Sequence, residues 1–446
     1  MSYLDRDVFF KAPQQILLGF AGIILAGTFI LMLPFVTRSG HSTNFLDALF
    51  TATSAVCVTG LTTVSTIGHW NMFGQAVILL MIEIGGLGFM SLPFLYFTLT
   101  KRKINLSMRM ILKDTLNTFD ISGTVSLMLA IFRIAFIIQF LGFLLLSVDF
   151  IPRYGWEKGL WYSFFHAVSS FCNAGFDLFD NSLISFQNDP WILMVISFLI
   201  IAGGLGFIVW QDLLKNKTLR KLRLHSQITL KVTGLLLVLS SIFFFFTNTV
   251  GSNPLSRLSN VFFLAVTPRT AGFFSIDYAT MSHAGLVLTM ILMFIGGSSG
   301  STAGGFKTTT LGIILIKLYS VIRGRSKAQY KGRTIKENTI SQAFMLFFIF
   351  LIMIISSTMI LSVTETIPNV DQLGLEYIVF EVISAMGTVG LSLGLSAHLT
   401  WIGKLVLIFL MFIGRVGILT MIFSTINQTH KRETNYKYPE ENVIIG

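Results

Sequence analysis

The chain has 446 residues, of which 53% are hydrophobic and 12% are charged, and its formal net charge is +11 at pH 7. A charged fraction about half that of typical globular domains excludes a soluble multidomain protein and predicts a polytopic membrane protein. The presence of two cysteines excludes a disulfide scaffold and a cysteine-rich metal cluster.

Eight apolar runs are long enough to cross a bilayer, which requires about 20 residues. They are 16–36, 73–99, 125–148, 191–214, 228–246, 286–316, 343–363 and 402–426, the sixth being interrupted by glycines. The first run is too long for the core of a signal peptide and has no small-residue cleavage site, so we expect no cleavable signal.

Four shorter apolar runs follow the first, third, fifth and seventh long runs. They are 44–56, 159–171, 258–266 and 375–385, and each is too short to span a bilayer. Each leads into an extended segment that contains glycine rather than into a charged loop. The order of long helix, short helix, glycine turn and long helix therefore occurs four times, which indicates an internal repeat.

Two glycine signatures keep the same register in all four repeats. The short runs end at turn glycines, which are Gly60, Gly175, Gly272 and Gly390. A phenylalanine stands ten residues before each of these glycines, at Phe50, Phe165, Phe262 and Phe380. A second signature begins 24–28 residues after each turn glycine, at Gly85, Gly203, Gly296 and Gly414. Four matched copies predict an all-helical membrane protein of four repeats around one axis.

Basic residues cluster on one side of this arrangement. They are concentrated in the segments 6–11, 101–113, 215–231, 317–336 and 431–437. The loops of the other side hold Arg38, Arg153, Lys158 and Arg257. The positive-inside rule then places both termini in the cytoplasm and the glycine turns towards the outside.

The four glycine turns are candidates for an ion filter. Irregular backbone inside a bilayer must be shielded by protein or line a water-filled path. Four extended turns can present rings of carbonyl oxygens that replace the hydration shell of a monovalent cation, and glycine permits the dihedral angles. The partly negative C-terminal ends of the short helices favour a cation. The alternative is a set of re-entrant turns that only pack.

The candidate filter residues lie in four segments. They are Val56, Cys57, Val58, Thr59, Gly60, Phe171, Cys172, Asn173, Ala174, Gly175, Pro268, Arg269, Thr270, Ala271, Gly272, Met386, Gly387, Thr388, Val389 and Gly390. Potassium would bind to their backbone carbonyls, and we expect no other metal site and no cofactor in this chain.

Several motifs make the chain resemble the Trk/Ktr/HKT superfamily of potassium transporters, most closely the Ktr-type membrane subunit (KtrB or KtrD of bacteria). They are TPRTAGF at 267–273, GTVGL at 387–391, the glycine-rich stretch 296–305, IGR at 413–415 and the tail 438–446. The resemblance covers nearly the whole chain. It implies four M1–pore helix–M2 repeats with pseudo-fourfold symmetry around one ion pathway.

The resemblance also implies potassium uptake, often dependent on sodium, by a homodimer that sits on a cytosolic ring of nucleotide-binding (RCK/KTN) subunits. Some plant relatives carry serine at the first filter glycine and favour sodium. This chain has Gly60 at that position, so we expect potassium selectivity.

A glycine-rich stretch interrupts the second long helix of repeat 3, and its residues have poor helix propensity. It resembles the intramembrane loop that gates Ktr proteins. A phosphate-binding loop is excluded because Phe306 follows Gly305 where that motif requires lysine. The alternative is a kinked helix that packs on small residues. The candidate gate residues are Gly296, Gly297, Ser298, Ser299, Gly300, Ser301, Thr302, Ala303, Gly304, Gly305, Lys307 and Arg415.

Arg415 replaces the second glycine of the repeated signature, and an arginine inside a membrane is usually functional. We expect it to face the ion path near the loop and to act as an electrostatic barrier. A buried ion pair with Glu83 is the alternative. Lys307 either clamps the closed loop or lies at the edge of a cytoplasmic cavity.

Other polar residues lie near the filter segments. We expect Arg269 and Glu381 to support the filter from behind, Asp47 to cap its short helix or form a local hydrogen bond, and His166 to be a packing residue. Cys57 and Cys172 are expected to be free thiols that face away from the ion. The loop 317–336 and the tail 427–446 are candidate docking surfaces for a cytosolic subunit, and lipid headgroup contact is the alternative.

We divide the chain into repeat 1 (1–100), repeat 2 (101–224), repeat 3 (225–336, with the intramembrane loop at 296–308), repeat 4 (337–426) and a cytoplasmic tail (427–446). The sequence predicts a non-enzymatic potassium uptake subunit of a bacterial plasma membrane, driven by the membrane potential, with sodium as a candidate activator. A carrier for a small solute and a sodium-preferring channel are the alternatives.

Overall fold

The computed structural model describes residues 12–88, 124–216, 218, 221–247, 250–366, 374–418, 420, 421 and 441. The chain is helical and is built from four consecutive units. Each unit consists of an outer helix, a short helix that ends in a glycine turn, and an inner helix. This organisation is the all-helical membrane architecture that the composition and the repeat predict.

The helices follow one another in the same order in each unit. The outer helices are Ala12–Leu31, Thr124–Tyr154, Leu224–Thr247 and Glu337–Thr364; the short helices are Phe45–Val56, Trp156–Cys172, Pro254–Val266 and Leu375–Gly387; the inner helices are Met72–Leu87, Pro190–Gly204, His283–Ile295 and Trp401–Val416. Further helices are Thr66–His69, Phe207–Asn216 and Thr308–Ile322, and a small antiparallel hairpin pairs Gln329–Tyr330 with Arg333–Thr334.

The outer helices are the long, lipid-compatible spans of the protein. Each contains an apolar window long enough to cross a membrane, and large apolar side chains such as Phe136 and Val363 are exposed on them. In water such exposure would be costly, but hydrocarbon is the matching solvent for these surfaces. The outer helices therefore form the face that contacts lipid.

The inner helices are shorter than the apolar runs that contain them. Glycines with positive φ end them: Gly88 at 90°, Gly296 at 60° and Gly417 at 92°. In unit 2, Gly206 has φ 93°, and the chain bends by 94° between Pro190–Gly204 and Phe207–Asn216. A residue in this conformation cannot continue a right-handed helix.

The expectation of continuous spans at 191–214 and 402–426 is therefore wrong at the glycine signature, whereas the interruption expected within 286–316 is confirmed. In the run 73–99, the described part of the helix ends at Leu87, and residues 89–123 lie outside the described residues. The basic segment 101–113 lies there too.

The four units close into a ring. Each inner helix packs on the short helix of the next unit along the chain, and the inner helix of unit 4 packs on the short helix of unit 1. Each short helix is thus held between neighbours, which aims its C-terminal end at the centre of the ring.

An ion pair joins the first and last units at the ring closure. Lys404 on inner helix 4 places its Nζ 2.6 Å from Oδ1 of Asp47 on short helix 1, and the same oxygen accepts a hydrogen bond from Thr63 at 2.8 Å. Of the two roles expected for Asp47, capping is wrong, because Asn44 is the cap and accepts from the Leu46 amide at 3.1 Å. Asp47 instead accepts the hydrogen bond from Thr63.

We predict that Lys404→Met lowers the stability of the detergent-solubilised protein by about 1 kcal/mol, because it leaves a partly buried Asp47 carboxylate without its cation. The measurement is the apparent unfolding temperature within a double-mutant cycle with Asp47→Asn. The matched control is Lys317→Met, since Lys317 pairs at 2.8 Å with the exposed Glu337. Equal effects of the two lysine substitutions would contradict a role in ring closure.

Candidate ion pathway

The four candidate filter segments are extended turns with the same backbone pattern. The glycine of each turn and the residue two before it have positive φ: Gly60, Gly175, Gly272 and Gly390 at 93°, 69°, 80° and 94°, and Val58, Asn173, Thr270 and Thr388 at 57°, 60°, 72° and 50°. Left-handed residues at alternate positions rotate successive peptide planes, so that several carbonyls can face one side. Four non-glycine residues in this sparsely populated region make the turns candidates for a functional site.

The four turns meet at the centre of the ring in cyclic order. A Cβ added to Gly60 would lie 2.6 Å from the Ala174 carbonyl oxygen, and one added to Gly175 would lie 2.8 Å from that of Ala271. Gly272 and Gly390 are packed in the same way against the carbonyls of Val389 and Thr59. Each turn glycine thus touches the carbonyl that precedes the glycine of the next turn. No side chain fits at these four positions.

Polar side chains of the turns lie behind the ring. The Cys172 thiol is 3.2 Å from Oε2 of Glu83, which also accepts from Gln139 at 2.8 Å, and both cysteines are free and buried. Arg269 donates to the Thr233 hydroxyl of outer helix 3 at 3.3 Å. These contacts direct the Cys172 and Arg269 side chains towards the helices around the turns.

Two residues of the short helices bind the segment that follows the glycine turn of their own unit. Glu381 is fully buried, and its carboxylate accepts hydrogen bonds from Ser392, at 2.8 Å, and from Ser396. His166 is also buried; its Nδ1 lies 2.7 Å from the Tyr162 carbonyl oxygen, and its Nε2 accepts from the Leu178 amide at 3.3 Å. Both side chains anchor the segment that follows their own glycine turn.

The first glycines of the second signature lie beneath the turns, and the ends of the short helices pack on them. We call these glycines the seats of the turns. In units 1, 2 and 4 a Cβ would collide with a carbonyl at the end of the short helix: Gly85 with Val56, Gly203 with Phe171, and Gly414 with Met386. Backbone therefore packs directly on backbone beneath three turns. Unit 3 departs from this pattern. A Cβ added to Gly296 would lie 2.8 Å from the Phe306 carbonyl oxygen and 3.0 Å from that of Gly304, and both of these residues belong to the loop that follows.

The stretch after inner helix 3 is a loop inside the helical ring, and the kinked-helix alternative is wrong. Its Ser298 and Thr302 amides donate to the carbonyls of Gly204 and Gly203, at 3.0 and 3.3 Å, where inner helix 2 ends. The Thr302 hydroxyl donates to the Phe171 carbonyl of turn 2 at 3.1 Å. Neighbouring backbone thereby satisfies the polar groups of irregular chain at membrane depth.

The same loop lies against turn 4. A Cβ added to Gly305 would lie 2.9 Å from the Gly387 carbonyl oxygen, and one added to Gly304 would collide with the Thr388 side chain. The Gly305 amide donates to the Gly414 carbonyl at 3.2 Å. The loop therefore lies directly beneath the glycine turns and contacts two of them.

Two cationic side chains bind carbonyls of this loop. Arg415 donates to the Thr302 carbonyl and also to the Gly85 and Gly86 carbonyls at the end of inner helix 1, the last at 2.9 Å. Lys307 donates to the Ala303 and Gly304 carbonyls at 2.7 and 3.0 Å. Arg415 thus connects the loop to unit 1.

The alternative ion pair between Arg415 and Glu83 is not formed among the described residues. The Glu83 carboxylate is bound by Gln139 and Cys172, while Arg415 binds only backbone carbonyls in the hydrogen bonds described above. For Lys307, the contacts match those of a loop clamp.

Of the two candidate docking surfaces, the loop 317–336 lies within the described residues. The hairpin in the loop 317–336 packs on outer helix 3, where Lys331 donates to Gln227 at 2.9 Å and Lys231 lies 5.4 Å from the centre of the Tyr330 ring. In the tail 427–446, all residues except 441 lie outside the described residues.

Sequence reasoning missed four buried hydroxyls, Ser54, Ser169, Thr267 and Ser384, that bond to the glycine turns. Their signal is present in the sequence, since a hydroxyl residue stands five or six positions before every turn glycine. Serine and threonine are common at helix ends, so this pattern alone does not indicate what they bind.

Comparisons with known proteins indicate the family of this chain. A family model described as TrkH, cation transport protein, matches residues 23–434. The potassium/sodium uptake protein NtpJ of Enterococcus hirae is 55% identical over 438 residues, which are 97% of each chain. The Ktr system potassium uptake protein B of Bacillus subtilis is 39% identical over 98% of this chain and 97% of its own.

A solved structure has the same fold. The crystal structure of the potassium transporter TrkH from Vibrio parahaemolyticus aligns with a TM-score of 0.74 at 17% identity, covering 96% of this chain and 87% of the other. The resemblance inferred from the motifs is thereby confirmed for the family and the fold.

We predict that Gly85→Ala and Gly414→Ala each lower stability by about 1–3 kcal/mol, the usual cost of overpacking, because the new methyl group collides with a short-helix carbonyl. The measurement is the yield of monodisperse protein together with its apparent unfolding temperature. Gly234→Ala is the matched control, since its position in an outer helix has open space around it. A loss of stability in the control as large as in the two variants would contradict the packing argument.

Proposed function

The chain belongs to the TrkH cation transport protein family, and we propose that it is the ion-translocating membrane subunit of a potassium uptake system. It is a transporter and not an enzyme. The observation that carries the proposal is the cyclic contact of four glycine turns, in which each glycine touches a carbonyl of the next turn. The names of two relatives, the NtpJ protein and the Ktr protein B, include potassium uptake and support the choice of ion.

In this proposal potassium loses its water at the glycine turns and binds to their backbone carbonyls. One ring consists of the carbonyls that precede the turn glycines, which are those of Thr59, Ala174, Ala271 and Val389. The four short helices end at these turns, so their partly negative C-terminal ends also stabilise a cation there. The membrane potential, negative inside, contributes about 2.3 kcal/mol per charge for each 100 mV and drives uptake.

The intramembrane loop is the proposed gate. It lies under turns 2 and 4, Arg415 binds it to unit 1, and Lys307 bonds to carbonyls within the loop itself. Two positive charges beside the path also oppose the residence of a cation, because like charges repel strongly where water is scarce. Release of the loop from Arg415 would open the path from the turns to the cytoplasm.

The proposed assembly is a homodimer with cytoplasmic termini that is gated by a cytosolic nucleotide-binding ring. The Ktr relatives are named as proteins of a system, which supports a partner subunit. Sodium is the proposed activator, and the relative whose name pairs potassium with sodium supports this. The same name favours transport of sodium through the same path as the second candidate function.

We predict that Gly272→Ser abolishes potassium-sensitive uptake or its selectivity. The position has φ 80°, and a side chain there would collide with the Val389 carbonyl and lie about 3 Å from two other turn glycines. The measurement is rubidium-tracer uptake into cells that lack their own potassium uptake systems, with excess potassium or excess sodium as competitor. Protein amount in the membrane is measured in parallel.

The matched control is Gly234→Ser, in the same unit but with open space around it, which should transport like the parent protein. Parent uptake that sodium blocks better than potassium would favour the second candidate function. Robust uptake by Gly272→Ser with unchanged competition would mean that the glycine turns are not the filter.

We predict that Arg415→Met raises the rubidium flux several-fold without added cytosolic subunit, because the loop loses its bond to unit 1 and the path loses a positive charge. Lys307→Met should act in the same direction, since it frees two other loop carbonyls. The control is Arg323→Met, whose guanidinium lies 5.0 Å from the centre of the Tyr319 ring. Unchanged flux in both loop variants at normal protein levels would rule out the gate.

A further inference from the structure

A buried hydroxyl at the C-terminal end of each short helix is bonded to the glycine turn of its own unit. The four residues are Ser54, Ser169, Thr267 and Ser384, and all are fully buried. They occupy related positions, yet their bonds are of two kinds. Units 1 and 4 share one kind, and units 2 and 3 share the other.

In units 1 and 4 the hydroxyl is an acceptor. The Gly60 amide donates to Ser54 Oγ at 3.0 Å, and the Gly390 amide donates to Ser384 Oγ at 3.1 Å. Both bonds hold the amide of the turn glycine towards the short helix, which is the side away from the centre of the ring.

This bond determines where the carbonyl of the same peptide group points. A trans peptide is planar, and its N–H and C=O point in opposite directions. With the Gly60 amide held backwards, the Thr59 carbonyl must face the centre, and it does lie against Gly390 of the neighbouring turn. The Val389 carbonyl lies in the same way against Gly272.

In units 2 and 3 the hydroxyl is a donor. Ser169 donates to the Phe176 carbonyl at 2.6 Å, and Thr267 donates to the Phe273 carbonyl. These carbonyls belong to the residue that follows the turn glycine, and they are held towards the short helix. Among the described residues, no hydrogen-bond donor reaches the equivalent carbonyls of Leu61 and Leu391.

Building on the proposed function, we propose that these four hydroxyls are positioning residues of the filter and work in two chemically distinct pairs. Ser54 and Ser384 form the aiming pair, which fixes two carbonyls of the ring below the glycines towards the ion. Ser169 and Thr267 form the retracting pair, which keeps two carbonyls above the glycines away from the ion. The outer end of the filter is therefore only partly lined by carbonyls.

The two pairs have different consequences for transport. Loss of an aiming hydroxyl leaves a buried amide unpaired and frees its peptide group to rotate, so the ring loses its fixed geometry. Loss of a retracting hydroxyl frees a carbonyl to face the ion at the outer mouth. Conduction needs sites that bind a cation but also release it. An outer site that binds potassium more tightly raises the apparent affinity for potassium and slows its release into the filter, so the maximal rate of transport falls.

The experiment compares five variants by rubidium-tracer uptake with potassium and sodium as competitors, at equal protein levels. Ser54→Ala and Ser384→Ala remove the aiming pair, and Ser169→Ala and Thr267→Val remove the retracting pair. Ser170→Ala is the matched control, because Ser170 is the next residue along the helix and its hydroxyl is buried without a partner among the described residues.

The expected result is a split between the pairs. The aiming variants should lose about fivefold in discrimination between potassium and sodium, the size of one hydrogen bond. The retracting variants should keep that discrimination, with a lower half-saturating potassium concentration and a lower maximal rate. Two further variants, Ser169→Thr and Thr267→Ser, change the size of the side chain but keep its hydroxyl. They should have the kinetics of the parent protein, which a merely structural role in packing would not require.

A second readout covers variants that do not transport. The apparent unfolding temperature of the purified protein is compared in potassium chloride and sodium chloride, because an ion bound to the folded state stabilises it. The difference between the salts should shrink in the aiming variants and grow in the retracting variants.

Two failures can be told apart. If the parent protein neither takes up rubidium nor distinguishes the two salts, the proposed function is wrong and this inference fails with it. If the parent does both and all four variants behave like Ser170→Ala, or all four change in the same direction, the division into two pairs is wrong while the filter stands.

Discussion

The close approach of four backbone segments at the centre of a membrane-embedded ring is the constraint on which the rest of this structure depends. Each turn glycine touches a carbonyl of the next turn, so a methyl group at any one of them would push two units apart. The contact demands positive φ at the glycine and two residues earlier, which costs energy outside glycine. The short helices, their hydroxyls and the glycine seats beneath them all hold this arrangement in place.

The four contacts between neighbouring units, here called seams, share the same backbone geometry but have different side chains. Gly86 of inner helix 1 lies against Cys172 of turn 2, which reaches Glu83, whereas inner helix 4 carries Arg415 at the position equivalent to Gly86. In unit 3 the Arg269 side chain binds Thr233 of its own outer helix. The fourfold repeat thus accommodates a charge where two units meet without disturbing the backbone ring.

The breaks in the inner helices connect the ring to the proposed gate. Inner helices 1, 2 and 4 stop at or just after the glycines on which a turn rests, and inner helix 3 stops just before Gly296. Among the described residues, the chain below the turns takes a different course in units 2 and 3. Unit 2 turns sharply, and unit 3 forms the loop that bonds to the seats of units 2 and 4. Movement of the loop would therefore change the contacts that the loop makes with the glycine turns.

Local features of the sequence determined the membrane class, the four repeats and the two glycine signatures, because run length, hydropathy and spacing are readable without neighbours. What lies across a seam is decided only by the tertiary structure. That is why the sequence left Arg415 between a barrier and an ion pair, and Asp47 between capping and a local hydrogen bond. For the same reason it did not reveal that Ser54 accepts where Ser169 donates. A hydroxyl's role depends on the orientation of the peptide group it meets, and spacing along the chain carries no information about that orientation.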